Sequence, residues 1–363
     1  MEIALTKRLA DQVKLNLHPT EKDLNPLFLW TANWTNVYDR DSDNLLVLVN
    51  NATRFIVAIY PFEKEDFNKF EEICMNAIRK TLQSFNFSSA AIDKYFRLAG
   101  DLKFTQNRDR SAASRVGKAG LECAIHISSN LEQGDHIPLE TLTAGVNHML
   151  VTLPGSKDYC VPFEEFAKAL SELTSEQIFA YRAFELLVTL DLEIYEVKRS
   201  LIVPAAIDFF ALHNVIQSVF SWGSSHLYDF SIYAEHSLQP IHRLVPYEED
   251  VNHDPTATLL KDQRLEDYLL KYKEILYTYD YGDNWEHKIK LVKVYEKYDG
   301  ESPYLLHAEG KTPPEDVGGI PGFIYFLEAY KDPDHPEHEE LKDWVGIWTP
   351  ELEDWEKRPR VIR

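Results

Sequence analysis

The sequence predicts an α+β protein, with two α+β domains joined by a helical connector and the second domain built on an antiparallel sheet flanked by helices. Three observations carry that reading: short apolar runs come in pairs separated by turn residues, helical apolar stripes follow them, and charge is split unevenly along the chain. Residues 1–130 hold 17 Lys and Arg against 16 Asp and Glu, whereas residues 131–363 hold 21 against 43. A chain of 363 residues exceeds one ordinary core, so the change in charge sets a boundary after residue 130, and the helical pattern of 131–193 is read as a connector to a second domain over 194–363.

In the first domain, Leu45–Val49 and Arg54–Tyr60 flank Asn50-Asn51-Ala52-Thr53 and read as two buried strands joined by a turn. Phe67, Phe70, Ile73, Cys74, Ala77, Ile78 and Leu82 then keep helical spacing from Glu65 to Leu82. A shorter helix spans Ser88–Leu98 and is closed by Gly100. Lys103, Arg108, Arg110, Arg115 and Lys118 form a basic cluster, either a solvated face or an anion or nucleic-acid contact through Arg108, Arg110 and Arg115. Pro138, Pro154 and Pro162 punctuate the connector, whose segment Val161–Leu192 is expected to be mostly helical.

In the second domain, Tyr195–Val203 reads as a strand, and Pro204 is expected in the first turn of a helix reaching about Trp222-Gly223. The apolar stripe of that helix, Ala206, Phe209, Phe210, Leu212, Ile216 and Phe220, carries His213 inward. Tyr228, Phe230 and Ile232 alternate as a strand, and His226 shares their parity. Ile275–Tyr281 and Trp285–Leu291 form a hairpin around Gly282-Asp283-Asn284, with Trp285, His287, Ile289 and Leu291 on one face. Thr312–Gly322 is too rich in Pro and Gly for a regular element, so a helix is expected to start near Phe323. Asp332–Glu340 breaks that helix and opens another, ending near Trp344-Val345-Gly346.

Two classes of function fit these residues. A non-catalytic binding module is suggested by the number of distinctive residues that shape backbone, and the acidic balance suits a basic protein partner. The alternative is a metal-dependent hydrolase, acting on phosphoesters or as a nuclease, with ligands drawn from His213, His226, His287, Asp280, Asp283, Glu315 and Asp316. These residues, with Trp285, define a candidate cleft. None lies in a His-Glu-x-x-His pattern, so such a site would be assembled from distant segments. His335 and His338, three apart, could clip a metal or simply form a solvated face. No cofactor is expected under the first reading and a divalent metal under the second. Nucleic acid is expected, if at all, only through the first domain, because the acidic remainder repels phosphate. Cys74, Cys123 and Cys160 have no disulfide or zinc spacing and read as small core residues of a reducing compartment. The start of the chain shows no export pattern and no run reaches the roughly 18 to 20 apolar residues of a membrane span. A cytoplasmic location is therefore expected.

From about Ile194 to Glu351 the chain resembles the plasmid pRiA4b ORF-3-like family, which is also met as passenger genes of insertion elements. The resemblance rests on Leu212-His213, Trp222 with Ser225-His226-Leu227, Tyr279-Asp280-Tyr281-Gly282-Asp283 with Trp285 and His287, Pro313-Pro314-Glu315-Asp316-Val317-Gly318-Gly319, and His338 with Trp344 and Gly346. It implies an α+β domain with an antiparallel sheet and an association with mobile elements, and it assigns no catalytic residue. Relatives commonly carry cysteine where this chain has Thr312. The first 130 residues resemble a separate bacterial domain through Thr31-Ala32-Asn33 and Leu46-Val47-Leu48-Val49-Asn50.

Overall fold

Leu45–Val49 is apolar without a break because both of its faces are covered. In the computed structural model, which describes residues 1–21, 23–37, 44–132, 139–153, 155–234, 237–252, 254 and 256–362, this segment lies in strand β3 (Leu45–Asn50) of a five-stranded sheet. The order is β4 (Ile56–Ile59), β3, β2 (Leu29–Thr35), β1 (Glu2–Leu5) and β5 (Lys103–Gln106). β1 runs parallel to both β2 and β5, while β2, β3 and β4 form an antiparallel meander. Leu46 and Leu48 face one cluster with Phe70, Cys74 and Ile78, and Leu45, Val47 and Val49 face another with Val116, Ala119 and Cys123. Cys74 and Cys123 are thus core residues, and Cys160 is half-buried.

The expected helices are present with changed starts. Lys64–Lys69 is a 3₁₀ turn, and the α-helix runs from Phe70 to Ser84. Ser89–Ala99 begins at a Ser88 side chain that accepts a hydrogen bond from Ala91 N, and it ends at Gly100 with φ +63°.

Chain contacts divide the molecule into two units, Met1–Ala180 and Tyr181–Arg363, and the stretch 131–193 is shared between them rather than forming a connector. Pro162–Thr174 is its helix after residue 160, and Phe163, Phe166 and Leu170 pack into the same core as Trp30 and Phe55. The Phe55 and Phe166 rings lie 4.6 Å apart. The helix expected to continue to Leu192 gives way to strand β8 (Tyr181–Asp191). Ile178, Tyr181, Phe184 and Leu187 keep near-helical spacing, but Phe184, Leu186, Val188 and Leu190 alternate, and pairing on both edges decides for the strand. Pro138 and Pro154 lie outside the described residues. A small hairpin, β6 (Val151–Thr152) and β7 (Tyr159–Cys160), completes the first unit.

The second unit is a nine-stranded sheet. Its strands, in chain order, are β8, β9 (Glu196–Pro204), β10 (Tyr228–Tyr233), β11 (Pro240–Val245), β12 (Ala257–Leu259), β13 (Glu274–Tyr279), β14 (Trp285–Tyr298), β15 (Tyr304–Glu309) and β16 (Arg360–Val361). In space they run β12-β11-β10-β13-β14-β8-β9-β15-β16, antiparallel throughout except for β11 with β12. Phe184, Val188, Leu201, Phe230, Tyr277 and Ile289 share one core with the helices Phe209–Phe220, Leu265–Tyr272 and Gly319–Lys331. The alternate residues Glu286, Lys288 and Lys290 are exposed, as expected of an antiparallel sheet with one wet face. Pro204 ends β9 instead of opening a helix, because Asp208 caps the next helix through Ala211 N at 2.7 Å. The helix expected at Phe323 starts at Gly319, where Pro321 lies in the first turn and costs no hydrogen bond.

Because Phe166 belongs to the first unit's core, Phe166→Ala is expected to lower that unit's unfolding free energy by about 3–5 kcal/mol in denaturant titration. A loss under about 1 kcal/mol would return this helix to a connector role.

Candidate functional site

Three loops of the second unit meet at one place. The segment after the helix Phe209–Phe220 supplies Trp222 to His226, the β13–β14 turn supplies Asp280 to Asn284, and the Pro-Pro loop supplies Thr312 to Gly318. The Pro-Pro loop is held through its carbonyls, since Pro313 and Pro314 have no amide proton to offer. Trp348 Nε1 donates to Thr312 O at 2.8 Å and Trp222 Nε1 to Pro313 O at 3.0 Å. Beneath the loop, Trp222 stacks against Phe220, Tyr279 and Trp285 at 5.6, 5.2 and 6.0 Å between centroids.

The two neighbouring carboxylates of the loop divide their tasks. Glu315 accepts from Gly223 N at 2.9 Å, from Tyr279 Oη at 2.6 Å and from Ser225 Oγ at 3.4 Å, so it ties all three segments together. Burial, together with this carboxylate, pushes the Tyr279 phenol well above its ordinary pKa, so Tyr279 stays a proton donor. Asp316, by contrast, is 72% exposed, and its Oδ1 stands 3.2 Å from His226 Nε2. Asp280 Oδ2 lies 3.7 Å from the same nitrogen, while Asp280 Oδ1 accepts from the amides of Gly282 and Asp283. His226, Asp280 and Asp316 thus each offer one ligand atom, all within 4.8 Å of one another.

The turn itself is pinned to the following helix. Asp283 Oδ2 accepts from Gly318 N at 3.2 Å, which sets a carboxylate at the positive end of Gly319–Lys331. Gly319 has φ +67°, and a Cβ there would stand 2.7 Å from Asp283 O. Only glycine allows the helix to start against the hairpin tip.

Other expected site residues are placed elsewhere. His213 is buried, shares a 2.7 Å hydrogen bond with Tyr277 Oη and stacks on Tyr228 at 3.6 Å. His287 is buried with Nδ1 3.0 Å from Trp285 O, and its Nε2 has no hydrogen-bond partner. Desolvation pushes both imidazoles down to about 3, so both are neutral at pH 7. Trp285 lies under the site, 1% exposed. His226 reaches the site from the bend before β10 and not from strand parity. His335 and His338 do not form a pair: His338 is buried with Nδ1 3.0 Å from Ala329 O, and His335 Nδ1 accepts from Glu337 N. In the first unit, Lys103 is paired with Glu21 and Arg115 with Asp109, while Arg108 and Arg110 are exposed at the start of the helix Arg110–Glu132.

Sequence reasoning missed Arg199, which anchors the start of the Pro-Pro loop by donating from Nη2 to Thr312 Oγ1 at 3.1 Å. Its signal was available, since a charged residue sits between Val197 and Leu201 at a core-facing position of β9.

Residues 182–357, which include all three loops, match the family described as Plasmid pRiA4b ORF-3-like protein, and residues 2–165 match a Domain of unknown function (DUF6933). The uncharacterized protein y4hQ of Sinorhizobium fredii is 36% identical over 165 residues, covering 44% of this chain and 78% of that protein. The chain belongs to the plasmid pRiA4b ORF-3-like family. A crystal structure of a protein of unknown function, MM3350 from Methanosarcina mazei Go1, is 30% identical with a TM-score of 0.42, covering 48% of this chain and 95% of that one. In this pRiA4b ORF-3-like unit, the matched residues include Trp222, His226, Asp280, Asp283, Glu315 and Asp316 of the loop junction. No helix among the described residues is long and apolar enough to cross a membrane.

Two outcomes are expected. Gly319→Ala should cost about 2 kcal/mol or more, through the left-handed backbone and the clash with Asp283 O, read as a lowered denaturant midpoint. His213 and His287 bind protons more readily unfolded than folded, so their contribution is complete above pH 6.5 and is lost as pH falls from 6.5 toward 3. At pH 5 the loss should be about 2 kcal/mol per histidine. Equal unfolding free energies at pH 7 and pH 5 would contradict this.

Proposed function

We propose that this pRiA4b ORF-3-like protein is a non-catalytic binding module, an accessory of mobile genetic elements working in the cytoplasm, that holds a basic protein segment at the loop junction. The observation that carries the reading is the division between Glu315 and Asp316. One carboxylate ties the Pro-Pro loop to Gly223 N and Tyr279 Oη, and the other is displayed at 72% exposure, 3.2 Å from His226 Nε2. Such a surface is ordered before a partner arrives, which limits the entropy lost on binding. The excess of acidic residues after residue 130 favours approach of a basic segment.

A second reading, a metal-dependent hydrolase, is favoured by the imidazole and two carboxylates of His226, Asp280 and Asp316. Two features weigh on the side of binding. His213 and His287, needed to enlarge a ligand or proton-transfer set, are satisfied or enclosed in the core. The cavity beside the loop, about 100 Å³ and lined by Phe220, Trp222, Thr312, Pro313 and Trp348, has none of His226, Asp280 and Asp316 in its lining.

Full-length protein isolated at native expression should retain a basic partner at about 0.1 M salt and release it near 1 M. Asp316→Lys should weaken retention at least tenfold while the circular dichroism of the folded chain stays unchanged. Retention that ignores both salt and Asp316→Lys, or no partner at all, rejects this reading. Metal-dependent phosphoester turnover lost in Asp316→Lys would favour the hydrolase.

A further inference from the structure

We infer that His226, Asp280 and Asp316 form a binding site for one transition-metal dication, of the zinc or manganese class, that closes the junction of the three loops. The inference concerns the same junction as the binding reading but does not depend on a partner.

His226, Asp280 and Asp316 direct one nitrogen and two oxygens toward a common point. His226 Nε2 is enclosed from solvent and makes no hydrogen bond of acceptable geometry, although two carboxylate oxygens stand 3.2 and 3.7 Å away. An enclosed ring nitrogen without a hydrogen-bond partner is costly. A shared cation would satisfy it together with both oxygens. Ligands about 2.0–2.1 Å from a tetrahedral metal are separated from one another by about 3.3–3.4 Å, close to the nearer of these two distances. The longer distance, to Asp280 Oδ2, exceeds that spacing by about 0.3 Å.

The other carboxylates nearby are committed to protein donors, and this selects the three ligands. Asp280 Oδ1 is held by the amides of Gly282 and Asp283, which leaves Oδ2 facing His226. Asp283 Oδ2 holds Gly318 N, and both oxygens of Glu315 hold groups of the neighbouring segments. One imidazole nitrogen with two carboxylate oxygens suits zinc, manganese or iron(II) better than calcium, which takes six to eight oxygens. Three protein ligands leave a coordination position for water or for a group brought by a partner.

The test uses untagged full-length protein stripped with chelator and titrated calorimetrically with ZnCl₂ and, separately, MnCl₂. One equivalent should bind and raise the melting temperature. Asp316→Asn and His226→Gln should each weaken binding at least tenfold, while Glu340→Gln, an exposed carboxylate on another helix, should leave it unchanged. Because Asp316 is largely exposed, Asp316→Asn is expected to fold, and matching circular dichroism of the metal-free forms checks this. Absence of saturable binding, or binding indifferent to both substitutions, overturns the inference and leaves His226 as a neighbour of two aspartates with no cation among them. The two readings fail separately: partner retention by stripped protein that binds no metal removes only the cation site, and metal binding without a partner removes only the interaction.

Discussion

Arg199 is the residue on which the arrangement of the second unit rests. The residue is 2% exposed, and its guanidinium makes five hydrogen bonds, to the carbonyls of Lys198, Val219, Glu309 and Gly310 and to Thr312 Oγ1. It also lies 5.0 Å from the centroid of Phe220. Desolvation pushes its pKa down to about 10, yet it remains charged at neutral pH, with Glu356 the main favourable charge. A buried cation is tolerated only when its donors are satisfied, and here the acceptors come from β9, from the end of the helix Phe209–Phe220 and from the start of the Pro-Pro loop. Those three pieces must therefore meet for the charge to be accommodated. The carbonyl of Val219, in the last turn of its helix, also gains from a positive charge at that end.

From this anchor the remaining contacts follow in layers. Two indoles fix successive carbonyls of the Pro-Pro loop, and the aromatic column of Phe220, Trp222, Tyr279 and Trp285 gives the loop a floor. Lys311 and Glu356, both largely buried and 2.9 Å apart, close the side of the loop toward the end of the chain. With its backbone thus held, the loop delivers Glu315 inward and Asp316 outward. Adjacent carboxylates that would repel one another in a shared setting end in different ones.

The histidines show how burial sorts residues of one type into different work. His213 and His287 lie on the core face and are kept neutral by desolvation, so they act as shaped aromatic groups that fill space between helix and sheet. His226, a few residues from a strand that would have buried it, lies in a bend with two aspartates in reach. Position relative to the strand start, rather than residue type, separates packing from chemistry here.

By itself the sequence determined the α+β class, the β3–β4 and β13–β14 hairpins, the inward faces of His213 and His287, and the irregular loop between Thr312 and Gly318. These depend on local turn chemistry and on periodicity, which report which face of an element is buried. Tertiary structure alone decided that Tyr181–Asp191 is a strand, that Pro162–Thr174 belongs to the first core, and that His226 stands apart from the other two histidines. Each of these depends on groups far apart in the chain, such as the Trp222 indole and the Pro313 carbonyl, 91 positions distant. Periodicity shows that a face needs cover, but the residue that covers it is fixed only when the chain is packed.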